Sequence, residues 1–206
     1  MDPREHWNAA WSSRSPESVS WYQEEPEPSL RLVCAVTHPQ EPVIDVGGGA
    51  SGLAGALVAR GYAEIAVLDL SRAALEALGS RLGDRASRVA AIEADVLECT
   101  LVPASVATWH DRAVFHFLTN PVDRERYRFR LNSAVRPGGH VVMGTFALDG
   151  PLKCSGLPVE RYDAAALMNE LGSNWQLVDS LRHEHLTPSG LFQPFTFVVA
   201  RRIVTE

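Results

Sequence analysis

The stretch Val43-Ile44-Asp45-Val46-Gly47-Gly48-Gly49-Ala50-Ser51-Gly52 limits what this chain can fold into more than any other. A short apolar run breaks into glycines and then resumes as Ala50 to Arg60, ended by Gly61, which predicts strand, tight turn and helix. Without a Cβ, the glycine backbone can turn sharply and a ligand can lie against it, facing the amides at the helix start. A second apolar run, Glu64 to Leu68, leads into Asp69, which stands 69 − 49 = 20 residues after the last of the three glycines. A carboxylate at that strand end can accept both hydroxyls of a ribose.

The alternation continues. Ser71 can cap a helix whose apolar face is Ala74, Leu75, Leu78 and Leu82 and which Gly83 stops. Arg88 to Glu93 predicts a third strand. Ser105 to Trp109 predicts a shorter fourth, whose end delivers His110 and Asp111 to a loop. Asn120, Pro121, Asp123 and Glu125 suit a helix start, with Leu131 and Val135 carrying its apolar face to Pro137, and His140 to Phe146 reads as a fifth strand. Tyr162 to Leu171 reads as helix, and Gln176 to Leu181 with Phe192 to Ala200 as a closing pair of strands. Strands alternating with helices, without a fixed repeat, predict an α/β fold around a mainly parallel sheet.

Two segments fall outside this pattern. Residues 1–26 hold Trp7, Trp11, Trp21 and Tyr22 among polar and proline positions, which reads as an aromatic arm or cap on a domain spanning 27–206. Asp149 to Pro158 carries Pro151, Gly156 and Pro158 after the fifth strand, and reads as a shaped loop at the end where α/β sheets bind ligands.

Composition narrows the function. At 206 residues the chain suffices for one domain with a real core, and no run approaches the roughly 18 apolar residues of a membrane span. The amino terminus has no apolar stretch behind a basic start, so a cytoplasmic location is expected. Cys34, Cys99 and Cys154 are odd in number and widely spaced, which suits reduced thiols. A net charge of −6 offers no general attraction to phosphate backbones, and nucleic acid is disfavoured. His183-Glu184-His185 alternates as a metal pair could, but no third and fourth ligands stand at useful spacing, so no metal is expected.

Read only as Gly-x-Gly-x-x-Gly, residues 47–52 fit a nicotinamide or flavin site equally well. Four further features point elsewhere: Asp45 inside the strand before the turn, Ala94-Asp95-Val96, His110-Asp111, and Arg136-Pro137-Gly138-Gly139. In order and spacing, residues 40–146 resemble the class I S-adenosylmethionine-dependent methyltransferases. The chain also looks like a bacterial group of small methyltransferases, through Ser20-Trp21-Tyr22-Gln23, the run Trp109 to Phe117 and Cys154-Ser155-Gly156-Leu157-Pro158. The resemblance implies a Rossmann-like, seven-stranded, mostly parallel sheet with helices on both faces. It implies S-adenosyl-L-methionine as cofactor and S-adenosyl-L-homocysteine as product. By that resemblance Asp45, Gly47 and Gly49 would line the methionine part, Asp69 would hold the ribose, Asp95 and Val96 would meet the adenine, and Gly48 and Leu70 would also bind the cofactor.

The residues after the fourth strand would face the reacting methyl. Asp111 and His110, then His116, are therefore the catalytic candidates, needed as bases only if the acceptor must lose a proton. Cys154 reads as packing, since direct transfer needs no covalent enzyme intermediate. No residue names the acceptor, and a small carboxylate, thiol or amine is expected. The alternatives are a protein lysine acceptor, a dinucleotide-dependent oxidoreductase and a cofactor-binding regulator without catalysis. The oxidoreductase fares badly: Lys153 is the sole lysine, and Asp149, not tyrosine, stands four residues before it. Asn-Pro-Pro-Tyr is absent after the fourth strand, against methylation of DNA bases.

Overall fold

A computed structural model describes residues 2–13 and 15–204. In chain order the elements are α1 (Pro3–Ser12), α2 (Ser29–Val36), β1 (Val43–Val46), α3 (Leu53–Ala59), β2 (Ile65–Asp69), α4 (Arg72–Leu82), β3 (Val89–Glu93), β4 (Val106–Arg112), α5 (Pro121–Ala134), β5 (Val135–Phe146), β6 (Lys153–Cys154), β7 (Leu157–Pro158), α6 (Ala164–Leu171), β8 (Trp175–Leu186) and β9 (Phe192–Arg202). Seven strands form one sheet in the order β3-β2-β1-β4-β5-β9-β8. The pairs from β3 to β5 are parallel, and β9 and β8 close the sheet antiparallel.

Local chemistry explains the boundaries. Ser71 Oγ accepts from Ala74 N, Asn120 Oδ1 from Val122 N and Asp163 Oδ1 from Ala166 N, so α4, α5 and α6 each begin on a side-chain cap. All four residues of β1 are buried, as a parallel strand covered on both faces requires. Because side chains alternate along a strand, Val43, Val67 and Val142 join α2, α3 and α4 in one core. Ile44, Leu68 and Met143 join α5 and α6 in the other. No helix among the described residues is long and apolar enough to cross a membrane.

The seven-stranded, mostly parallel architecture is the expected one, and three features differ from what the sequence suggested: Val135 to Pro137, expected to end a helix, begins β5, and two others follow. The fourth strand does not stop at Trp109: it runs to Arg112, so His110 and Asp111 are strand residues paired with Asp45 and Val46 of β1. The segment before β1 also carries helices, α1 and α2, where none was expected. The 149–158 segment folds into the β6–β7 hairpin.

Strand order sets the place of the site. The chain enters the sheet at its middle in β1, steps outward through β2 to β3, then crosses back to β4 on the other side. The connections leaving β1 and β4 therefore diverge, opening a crevice over their carboxyl ends.

Candidate active site

The glycine turn forms the floor of that crevice. Gly47 and Gly49 have φ of 64° and 47°, in the left-handed region that favours glycine. A Cβ on Gly48 would stand 2.4 Å from Asp45 Oδ2, so the turn is close against the strand that precedes it. Asp69 ends β2 beside this turn, its Oδ1 accepting from Ser71 N at 2.8 Å. Burial pushes its carboxyl up to about 6; amide bonds from Ser71 and Gly49 oppose the rise, and the negative charge of Asp45 adds to it. Asp95 follows β3 and caps the next turn through Leu97 N, at 2.8 Å.

A cavity of about 350 Å3 runs from Asp69, Leu70, Asp95 and Val96 past Gly47 to Val114, Phe117 and the β6–β7 hairpin. A smaller recess of about 60 Å3 continues over Asp45, Gly48 and Ser51. The N-terminal segment lines both: Trp7, Trp11 and Trp21 belong to the wall of the larger cavity, and Trp11, Trp21, Tyr22 and Gln23 to that of the recess. The three indoles meet edge-on, Trp7 to Trp21 at 6.0 Å and Trp11 to Trp21 at 5.8 Å between centroids, and Trp7 also meets Phe117 at 5.1 Å. Arg4 fastens the arm to the sheet by donating to the Leu70 carbonyl and to Glu93.

Residues 43–139 match the family model described as a methyltransferase domain. That match spans 97 of the 206 residues, a little under half of the chain. No curated protein sequence gives a significant match. Among solved structures, the chain superposes with a TM-score of 0.80 on one described by the conversion of a disulfide bond into a thioacetal group during echinomycin biosynthesis. Identity there is 20%, over 98% of this chain and 93% of that one. A 1,6-didemethyltoxoflavin-N1-methyltransferase from Burkholderia thailandensis, solved with 1,6-didemethyltoxoflavin and S-adenosylhomocysteine, gives a TM-score of 0.70 at 19% identity, over 98% and 84% of the two chains. An S-adenosylmethionine-dependent methyltransferase from Anabaena variabilis gives 0.74 at 16%, over 98% and 96%. Likeness at these identities is likeness of fold.

Of the residues expected from the sequence to bind a cofactor, Asp45, Gly47, Gly48, Asp69, Leu70, Asp95 and Val96 all line the recess or the cavity. Gly49 lies beneath Trp11, whose Cζ2 would be 2.9 Å from a Cβ placed there.

The three catalytic candidates are placed differently, and the extension of β4 is the reason. His110 and Arg112 share one face of the strand while Asp111 points to the other. Asp111 lies beneath the sheet, accepting from Val114 N at 2.9 Å, Phe115 N at 3.1 Å and Tyr127 Oη at 2.5 Å. Burial pushes its carboxyl up to about 6, against the pull of the Tyr127 bond. Tyr127 in turn accepts from Trp109 Nε1, so this is a closed structural chain that does not reach the cavity. His116 is fully buried against Phe117 and Phe146, and burial pushes it down to about 3. It lines neither chamber.

His110 borders the recess, but both ring nitrogens are engaged: Nδ1 lies 2.6 Å from Asp45 Oδ1 and Nε2 2.8 Å from Ser29 Oγ. Cys154 does line the cavity, with its thiol pushed up to about 11 by burial, which suits packing better than nucleophilic attack. Of the His183-Glu184-His185 run, Glu184 pairs with Arg182, and His185 Nε2 meets the Ser20 carbonyl at 2.7 Å.

The residue missed in the sequence is Arg112, which lines both chambers. Period-two alternation would have found it, had the run His110-Asp111-Arg112 been read as strand rather than loop.

Proposed function

We propose that this enzyme transfers the methyl group of S-adenosylmethionine to a small molecule enclosed beneath the N-terminal arm. The observation that carries the reading is that the cavity of about 350 Å3 lined by Asp69, Asp95 and Val96 ends against Trp7, Trp21, Leu157 and Pro158, so that the cofactor would take much of it and leave room for a compact acceptor rather than a protein chain.

The residues present fit the cofactor: a glycine turn where side chains would collide, a buried carboxylate at the end of β2, and an acidic residue after β3. In this reading Asp69, beside Leu70, accepts the ribose hydroxyls. Asp95 and Val96 meet the adenine, and Asp45 with Gly47, Gly48 and Gly49 cradles the methionine end. When bound, the cofactor supplies a methyl already activated by the positive sulfur. The chain then has to align the acceptor's lone pair with that bond and exclude water, and alignment alone can supply much of the rate. The arm's indoles exclude water from above, and the β6–β7 hairpin bounds the acceptor on one side.

His110 has both nitrogens engaged, and Asp111 and His116 face away from the cavity, so none of the three stands ready as a general base. The arrangement favours an acceptor atom that already carries a free lone pair near neutral pH, such as a carboxylate, a thiolate or an unprotonated amine.

The test is transfer from cofactor labelled in its methyl group, offered to small carboxylates, thiols and amines beside a lysine-rich protein mixture. Label in a small, extractable product supports the reading. Label only in protein overturns it and favours the lysine alternative.

A further inference from the structure

Arg112 ends β4 with its guanidinium at the junction of the two chambers. Nη1 donates to the Trp21 carbonyl at 3.0 Å, and the Phe195 ring lies 4.9 Å from Cζ. Nε and Nη2 are shut off from solvent and have no hydrogen-bond partner among the described residues. These two nitrogens form one edge of the guanidinium, a parallel N–H pair that matches the two oxygens of a carboxylate and that a ligand reaches once the side chain turns toward the chambers it lines. Asp45, the nearby acid, is already held by His110 and Ser51.

We infer that Arg112 receives a carboxylate belonging to the methyl acceptor, which narrows the acceptor to small organic acids. The inference rests on the methyltransferase reading above. Its energetic basis is that a buried guanidinium without a counter-ion is costly, and truncated or unpaired buried ions are among the most destabilising features of proteins. Burial lowers its proton affinity, to about 10, which still leaves it charged near neutral pH. Binding the cofactor adds a second positive charge, the sulfonium, to the same enclosure, so an anionic acceptor relieves both. An ion pair draws charge from the oxygens it holds, so the held carboxylate is an anchor and not the methylated atom.

The cofactor's own carboxylate offers the same chemistry, and two observations favour the acceptor. The recess around the glycine turn already has a cation: Arg81 reaches in from α4, with Nη1 on the Ala50 carbonyl. Arg112 also lines the larger cavity, as do Cys154 and Leu157 of the hairpin, so its reach extends past the glycine turn toward the hairpin wall.

The experiment titrates benzoate and its uncharged twin benzamide into the S-adenosylhomocysteine complex, for the parent enzyme, Arg112→Met and Arg112→Lys. The parent should bind benzoate at least tenfold more tightly than benzamide. Arg112→Met should lose that preference while binding S-adenosylhomocysteine within about twofold of the parent. Arg112→Lys keeps the charge without the paired edge, and should lose at least threefold of the preference, which decides the matter should the methionine variant fail to fold. Benzoate binding no better than benzamide to the parent, or a preference that survives both substitutions, overturns the inference. So does a tenfold loss of S-adenosylhomocysteine affinity in Arg112→Met, which would assign the charge to the cofactor. A parent that does not bind S-adenosylhomocysteine at all would instead remove the methyltransferase reading itself.

Discussion

His110 Nδ1 lies 2.6 Å from Asp45 Oδ1 across the β1–β4 pair, so the acidic residue that precedes the glycine turn is held in place by the neighbouring strand. The other ring nitrogen reaches Ser29 of α2, and one imidazole thereby joins two strands and a helix under the cofactor floor. His110→Ala leaves a buried carboxylate and a buried hydroxyl without this partner. We expect it to lower unfolding free energy by about 1–3 kcal/mol in denaturant titration and to weaken S-adenosylhomocysteine binding. Unchanged stability with a large, pH-dependent loss of turnover would mark His110 as a general base instead.

Asp111 should behave as a structural group. Tyr127→Phe removes the hydroxyl that joins Asp111 to Trp109, and is expected to cost about 1–3 kcal/mol of stability while S-adenosylhomocysteine affinity stays within twofold. Asp111 has its carboxyl raised to about 6 in the folded chain. A raised acid contributes stability that is present below its ordinary range and lost as pH rises through about 6. Relative to the parent, Asp111→Asn should therefore gain between about pH 4 and pH 7, as measured by thermal unfolding at both values. A flat difference would mean that Asp111 ionises as freely in the fold as outside it.

The arm should close more firmly over bound cofactor. Its helix α1 is held to the body by Asn8, whose Oδ1 accepts from Ser71 Oγ at 2.8 Å and Ala73 N at 3.3 Å, and by Trp11 against Gly49. S-adenosylhomocysteine lying between the glycine turn and these indoles adds contacts to the closed state only, which shifts the arm toward it. Limited proteolysis within residues 3–22 should slow when S-adenosylhomocysteine is added. Asn8→Ala should speed cleavage without it. Equal cleavage rates with and without ligand would leave the arm a static brace.

The glycine turn and the acids around it were legible in the sequence because their signals are local. A buried parallel strand is a continuous apolar run, the turn needs glycine, and Asp69 follows the next apolar run directly. The end of the fourth strand was not. The polar run His110-Asp111-Arg112 looked like a loop, and it lies in a central strand because Asp45, Ser29 and Tyr127, with the amides of Val114 and Phe115, satisfy the first two residues. Only the two amides are chain neighbours. Helix α2 was hidden for another reason: Pro26 and Pro28 dominate its approach, and eight residues give barely two turns of apolar periodicity.

Calorimetric titration of S-adenosylhomocysteine into the parent and Asp69→Ala, at pH 5 and pH 8, tests the central claim most directly. Asp69 is raised to about 6 in the ligand-free fold, and the ribose hydroxyls bond its ionised form, so parent affinity should rise as pH passes through that value. Asp69→Ala should bind about 5- to 150-fold more weakly at pH 8, from the loss of about 1–3 kcal/mol, and should show a smaller pH dependence. No binding by the parent, or equal affinity for parent and variant at pH 8, would contradict the account.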